Sequence, residues 1–321
     1  MKKLILVIVI AVVGMTIAGS LYAQPGVING AYIKEHIPTK QMIKYTYLRE
    51  ADVMWEKRVW RRIDLREKMN FTLYYPLEPI SDDRMSLWDA LIFNIYNNRD
   101  LITVYEPNSQ TRAIAQMTED GDQFKYPVVI NDVDKYKEYI DGLIKVCDKP
   151  TLQIKPDPDD RDTWYDSLDA TGVPVVNPDR NTWSCDSITS DEIVAWDIKE
   201  DWFFDKQRSV MDVRIIGISP VVYYSDPNTK QVIGTKNLFW LYFPQIRPII
   251  QNYFVYNRKN DAQRMSYDDL FWKRTFSSYI TKESSIYDRT INDYTSGVDA
   301  LLESERIKKE MMEIEHDVWE F

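Results

Sequence analysis

The apolar positions of this chain change period several times, and each change predicts an element. The first block, residues 4–13 (LILVIVIAVV), is unbroken and follows Lys2 and Lys3. Small residues come after it, and Leu21-Tyr22-Ala23 stands before Gln24. That is the layout of a secretory signal peptide, and the run is shorter than the roughly 20 residues a spanning helix needs. Residues 1–23 are therefore expected to be removed on export. Residues 24–48 read as an N-terminal arm: Pro25, Gly26, Gly30 and Pro38 discourage regular structure, yet Tyr32, Ile33, Ile43 and Tyr45 are apolar. Such an arm should pack on its own domain or on a neighbour. In residues 49–66, Trp55, Val59 and Ile63 recur every four residues, which predicts a helix with an aromatic-aliphatic face. Lys57 and Arg61, and Arg58, Arg62 and Arg66, repeat at the same spacing and give that helix a basic face.

Further on, Ser86 followed by Asp89 is a capping pattern for a helix over 86–96, with Leu87, Trp88, Leu91, Ile92 and Ile95 on its apolar side. Residues 101–105 (LITVY) read as a strand and 132–146 as a third helix. Residues 148–190 are rich in Asp, Pro, Thr and Ser and read as a long surface loop. From 193 the period becomes two: Val194, Trp196, Ile198; then Met211, Val213, Ile215; then Leu238, Trp240, Tyr242. Asp226-Pro227-Asn228 marks a turn, so the expected outcome is an antiparallel meander of three or four strands. Ser266 can cap a helix from Tyr267 to about Ser278, and Ser296 with Asp299 can cap another. Ile307, Met311, Ile314 and Val318 then form the stripe of a long C-terminal helix. The chain reads as one α+β domain over 49–321, an antiparallel meander flanked by helices.

Composition narrows the function. At 44% hydrophobic and 13% aromatic residues, the chain has enough apolar side chain for a proper core. The net charge of −10 becomes −12 once Lys2 and Lys3 leave with the leader, which argues against nucleic acid and anionic lipid as partners. Cys147 and Cys185 are the two cysteines; export permits a bridge between them, and their spacing signals neither a redox motif nor a zinc site. With no cysteine near Ala23, a lipid anchor is not expected.

Chemistry is hard to find. The two histidines, His36 and His316, stand far apart, and no nucleophile elbow, zinc-protease motif or phosphate loop occurs. Asp157, Asp159, Asp160 and Asp162 lack the central Gly and terminal Glu of a calcium loop, so a solvated acidic loop is the better reading. No catalytic, cofactor-binding or metal-binding residue is assigned. Residues 199–220 mix charges of both signs with Trp202, Phe203 and Phe204, which suits either an interface or a turn into a buried strand. The interface residues expected on these grounds are Trp55, Arg58, Arg61, Arg62, Trp202, Phe203, Phe204, Asp205 and Arg208. The basic face at 57–66 and the aromatic-acidic segment at 200–205 are candidate complementary surfaces between copies. A periplasmic glycan- or peptidoglycan-binding module using Trp stacking is the alternative; a periplasmic hydrolase is a third class.

Several long strings resemble the GldN/PorN family: DVMWEKRVWRRIDLREKMN (52–70), LWDAL (87–91), IKEDWFFDKQRSVMDVRIIGISP (198–220), LFWLYFP (238–244), YDDLFWKRTFSSYITKES (267–284) and YTSGVDALLESERIKKEMMEIEHDVWEF (294–321). The resemblance does not extend to 148–190. It implies a periplasmic, non-enzymatic protein of the Bacteroidetes group, without a cofactor, in the type IX secretion and gliding-motility machinery. It further implies a ring beneath the outer membrane, assembled from copies of the chain with a GldK/PorK-like outer-membrane lipoprotein. The ring would touch the periplasmic domain of a GldM/PorM-like motor protein.

Overall fold

The computed structural model describes residues 42–319, apart from 82, 108–120, 126, 148–166, 169–173, 176–184, 226–231, 259 and 261–262. The leader, most of the arm, the Asp157–Asp162 cluster and the turn at 226–228 lie outside the described residues. The centre of the fold is an antiparallel sheet of seven strands: β1 (Val53–Asp64), β2 (Val104–Tyr105), β3 (Ile193–Asp205), β4 (Val210–Ser225), β5 (Val232–Asn237), β6 (Trp240–Tyr242) and β7 (Tyr279–Glu283). The order is β7-β1-β3-β4-β6-β2, and β5 pairs with the end of β4. The expected meander, β3-β4-β5, is thus the middle of a larger sheet, within the expected α+β class.

The segment expected to be a helix over 49–66 is a short turn, Glu50–Asp52, followed by strand β1. A spacing of four residues satisfies a period of 3.6 and a period of two equally, so Trp55, Val59 and Ile63 do not discriminate. Trp60 does: it belongs to neither the apolar nor the basic helical face, and in a strand it alternates with Val59 and Arg61. β-branched and aromatic residues also favour the pleated surface. Val59 and Ile63 are fully buried on one face, while Arg58, Trp60 and Arg62 line the other.

Three more expectations shift in extent. The strand at 101–105 shortens to Val104–Tyr105. The helix at 132–146 covers Val133–Ile144 and gives way to a ribbon in which Lys145–Cys147 pairs with Cys185–Ser187. The helix begun by Ser266 stops at Trp272, because Arg274 takes a left-handed backbone (φ 52°) and turns the chain inward.

Five helices matter for packing: α1 (Leu87–Asn97), α2 (Val133–Ile144), α3 (Phe243–Ile250), α4 (Tyr267–Trp272) and α5 (Val298–Trp319). Ser86 caps α1 as expected, accepting from the Asp89 amide at 3.1 Å. Ser266 and Asp269 cap α4 reciprocally. Leu91 and Ile95 of α1, Ile246 and Ile250 of α3, and Leu270 and Phe271 of α4 bury against Trp196, Ile198 and Ile218 of the sheet. A second cluster joins Ile307 and Met311 of α5 to Val59, Ile280 and Ile291. Burying such side chains contributes about 2 kcal/mol each, so the C-terminal stripe docks on its own domain. Residues 42–48 also pack on the body: Ile43 and Thr46 carbonyls accept from Arg247 (2.9 Å) and Arg214 (2.5 Å).

Candidate interaction surface

β1 and β3 run side by side for most of their length, and this places the expected interface residues. Arg58 faces Asp201 and Arg62 faces Asp197 across the ladder, with Trp60 opposite Lys199 between them. Both arginines are bidentate, Arg58 at 2.6 and 2.7 Å and Arg62 at 2.7 and 2.8 Å. Burial opposes the charge of Arg62, and the Asp197 hydrogen bonds outweigh it, so its proton is held more tightly than usual. Arg61 is buried on the opposite face, donating to the Ser278 hydroxyl (3.0 Å) and carbonyl (3.2 Å), and burial lowers its pKa. The basic strip and the aromatic-acidic segment are therefore partners within one chain. Charge reversal at Arg61 or Arg62 strikes the fold before it strikes any assembly.

The remaining expected residues divide by burial. Phe203, Phe204 and Asp205 are buried. Trp55 and Trp202 are half-buried beside the α5 cluster. Arg208 sits in the turn between β3 and β4 and donates to Asp205 (2.6 Å) and Asp212 (3.0 Å). The Arg208 hydrogen bond holds the Asp205 carboxyl below its usual range. Of the nine, Arg58 and Arg208 keep the most exposed side chains, at 41% and 38%.

Two polar features were not evident from sequence. On the inner face, Glu200 is fully buried and accepts from Arg274 at 2.7 and 3.1 Å and from the Trp202 indole at 3.1 Å. Near it, Arg247 bonds Asp268 at 2.7 and 3.2 Å and lies over the rings of Tyr45 and Trp272. Tyr45 carries Arg214 as well, at 5.1 Å from its ring. Residues 42–48 are thus clamped by two guanidinium groups that lie 168 and 204 residues away along the chain from the carbonyls they bond.

Two further clefts lie on the described surface. One, of about 660 Å³, is lined by Arg58, Trp60, Asp122, Lys199, Lys282 and Asp288 among others. It is the cleft a Trp-stacking glycan site would use, but Trp60 stands between Lys199 and Lys282 in the ladder. Their ammonium groups lie 5.3 and 4.7 Å from its ring, so two cations already sit against the indole. The other, of about 440 Å³, is an aromatic groove lined by Phe71, Tyr75, Pro76, Phe254 and Tyr256, with Arg84 and Arg258 and, among the described residues, no carboxylate. Among the described residues, no group of three or more His, Cys, Asp or Glu could hold a metal ion, and no helix is long and apolar enough to cross a membrane.

Along β1 and β3 the described arginines are thus satisfied within the chain, Arg58 and Arg62 by carboxylates and Arg61 by Ser278. Comparison with family models matches residues 48–320 to the gliding motility associated protein GldN. The chain belongs to the GldN family. The match runs through β1, β3 and β4 to the end of α5, so it takes in the whole sheet and its flanking helices. No curated protein matches the chain. Membership makes this a gliding-motility-associated protein, consistent with a component of the type IX secretion machinery.

Proposed function

We propose that the chain is a non-enzymatic structural subunit of a periplasmic ring of the type IX secretion and gliding-motility machinery. It joins a GldK/PorK-like lipoprotein on the inner face of the outer membrane and contacts the periplasmic domain of a GldM/PorM-like motor protein. The family match over 48–320 carries this reading. The physical character of the molecule supports it. β1, β3 and β4 hold 12, 13 and 16 residues in one antiparallel ladder, with charge pairs joining β1 to β3, a stiff plate about 40 Å long. A subunit that transmits load between partners needs such a plate more than it needs a cleft.

The test is to purify the tagged mature chain from cells with its envelope partners. A large stoichiometric complex containing the lipoprotein is the expected result. A monomer indifferent to the lipoprotein overturns the proposal. The Cys147–Cys185 bridge belongs to the same reading of an exported protein: the ribbon register sets the two residues directly opposite each other. Facing Cα atoms in an antiparallel ladder lie about 4.5–5.5 Å apart, within the span of a disulfide.

A further inference from the structure

Most arginines of the described chain meet a carboxylate, and two that do not, Arg84 and Arg258, line the same groove. Arg84 lies 5.9 Å from the Tyr256 ring, and Arg258 donates to the Lys68 carbonyl at 2.6 Å. Asp83, the neighbour of Arg84, is held by Arg264 at 3.6 Å. The groove holds about 440 Å³ between the rings of Phe71, Tyr75, Phe254 and Tyr256. Its Tyr75 and Tyr256 are half-exposed. Aromatic walls with guanidinium groups that lack acids take a peptide that carries apolar side chains and carboxylates.

The end of α5 has that chemistry and stands clear of its own core. The helix is fixed to its body where the Ser304 hydroxyl accepts from the Ile280 amide at 2.8 Å and where Ile307 and Met311 are buried. From Met312 to Val318 no residue is buried. At 1.5 Å per residue, 312–319 carries the helix about 12 Å past its last buried side chain. After Lys309 the sequence has no Lys or Arg. Glu310 and Glu313 are paired back to Arg306 and Lys309. Glu315 and Asp317 meet no cation among the described residues, and Glu320 follows in the sequence. Ile314 and Val318 share one helical face, and Trp319 and Phe321 continue the apolar content. The other acidic-aromatic strings of the described residues, 200–205 and 268–272, are built into β3 and α4.

We propose that the end of α5, residues 312–321, seats in the Phe71–Tyr256 groove of a neighbouring copy. Glu315, Asp317 and Glu320 would then face Arg84 and Arg258. The helix is anchored at Ser304, Ile307 and Met311, and among the described residues none of α5 lines the groove of its own chain, so the contact runs between copies. It joins two different patches, so it propagates from copy to copy and closes only as a ring. The proposal rests on the ring-subunit reading above and names the surfaces through which copies meet.

The test uses the tagged complex purified from cells. With Thr72→Cys in the groove and His316→Cys on the helix end, a short bifunctional thiol cross-linker should give a ladder of covalent multimers on a denaturing gel. The parent and each single variant should give none, and co-expression of the two single variants should give dimers that go no further. Dimers from His316→Cys alone mean that helix ends meet each other and overturn the proposal. A cross-linked monomer without a ladder means that each chain fills its own groove and overturns it too. So does the absence of any cross-link in a complex of unchanged size and composition, since another occupant then covers the groove. Failure of the parent chain to form any complex sinks the ring-subunit reading instead. In a second arm, Arg84→Glu with Arg258→Glu should abolish the ladder, and adding Glu315→Lys, Asp317→Lys and Glu320→Lys should restore it. A misfolded variant gives no such rescue, and a ladder unaffected by the first pair of changes overturns the contact.

Discussion

Replacing Arg274 by Ala should cost about 3 kcal/mol of stability. Glu200 sits at 0% exposure in the middle of β3, and Arg274 supplies two of its three hydrogen bonds. Removing one partner of a buried ion pair strands the other charge, at a cost of roughly 3–5 kcal/mol. The Arg274 side chain is 25% exposed, so water reaches the vacated space and the lower figure applies. Arg274 also covers the rings of Trp202 and Phe276, at 5.2 and 5.3 Å, and that stacking is lost too. For a domain of this size the melting temperature should fall by about 6–12 °C. The paired change Glu200→Leu with Arg274→Met removes both charges, and stability should return to within about 1 kcal/mol of the parent. Urea unfolding of the parent, Glu200→Leu, Arg274→Met and the double variant reads the coupling directly, expected at about 2 kcal/mol. Single variants that cost less than about 1 kcal/mol, or that simply add, would show that water already satisfies Glu200. In that case the pair does not organise the inner face.

Other outcomes follow from the same geometry. Arg62→Ala should destabilise the chain by about 1–3 kcal/mol by leaving buried Asp197 with Asn237 as its remaining side-chain donor among the described residues; unfolding midpoints matching the parent count against the pairing. At Gly217, an added Cβ would lie 2.4 Å from the Phe124 ring, so Gly217→Val should cost about 1–3 kcal/mol and loosen 121–125, seen as faster amide exchange there. Asp205 has a pKa depressed below its ordinary 3.8, so its contribution is complete above that value and is lost as pH falls through the folded-state pKa. An acid titration should therefore show Asp205→Asn less sensitive than the parent below about pH 4, and identical acid profiles would remove Asp205 from the turn's support. Non-reducing peptide mapping of the exported chain should find Cys147 joined to Cys185; two alkylated thiols would refute the bridge.

What sequence alone determined was local. Ser86 and Asp89 start α1 because the capping bonds span three residues, and Ile307 and Met311 face inward because a helix repeats every 3.6. The alternation in β3 and β4 was equally readable, since side chains in a strand change face at each residue. Where local signals were degenerate, tertiary structure decided. The fourfold spacing of Trp55, Val59 and Ile63 fits helix or strand, and β1 became a strand because β3 offers Asp197 and Asp201 in register. Those acids stand 135 and 143 residues away. The arginines that looked like a free basic face are neutralised by them, and Phe203 and Phe204 lie buried. The aromatic groove was equally hidden, because exposure depends on what the rest of the chain leaves uncovered. Backbone periodicity acts over a few residues and is written in the sequence. Pairing of charges and covering of apolar surface act across folded distances, so the fold alone decides them.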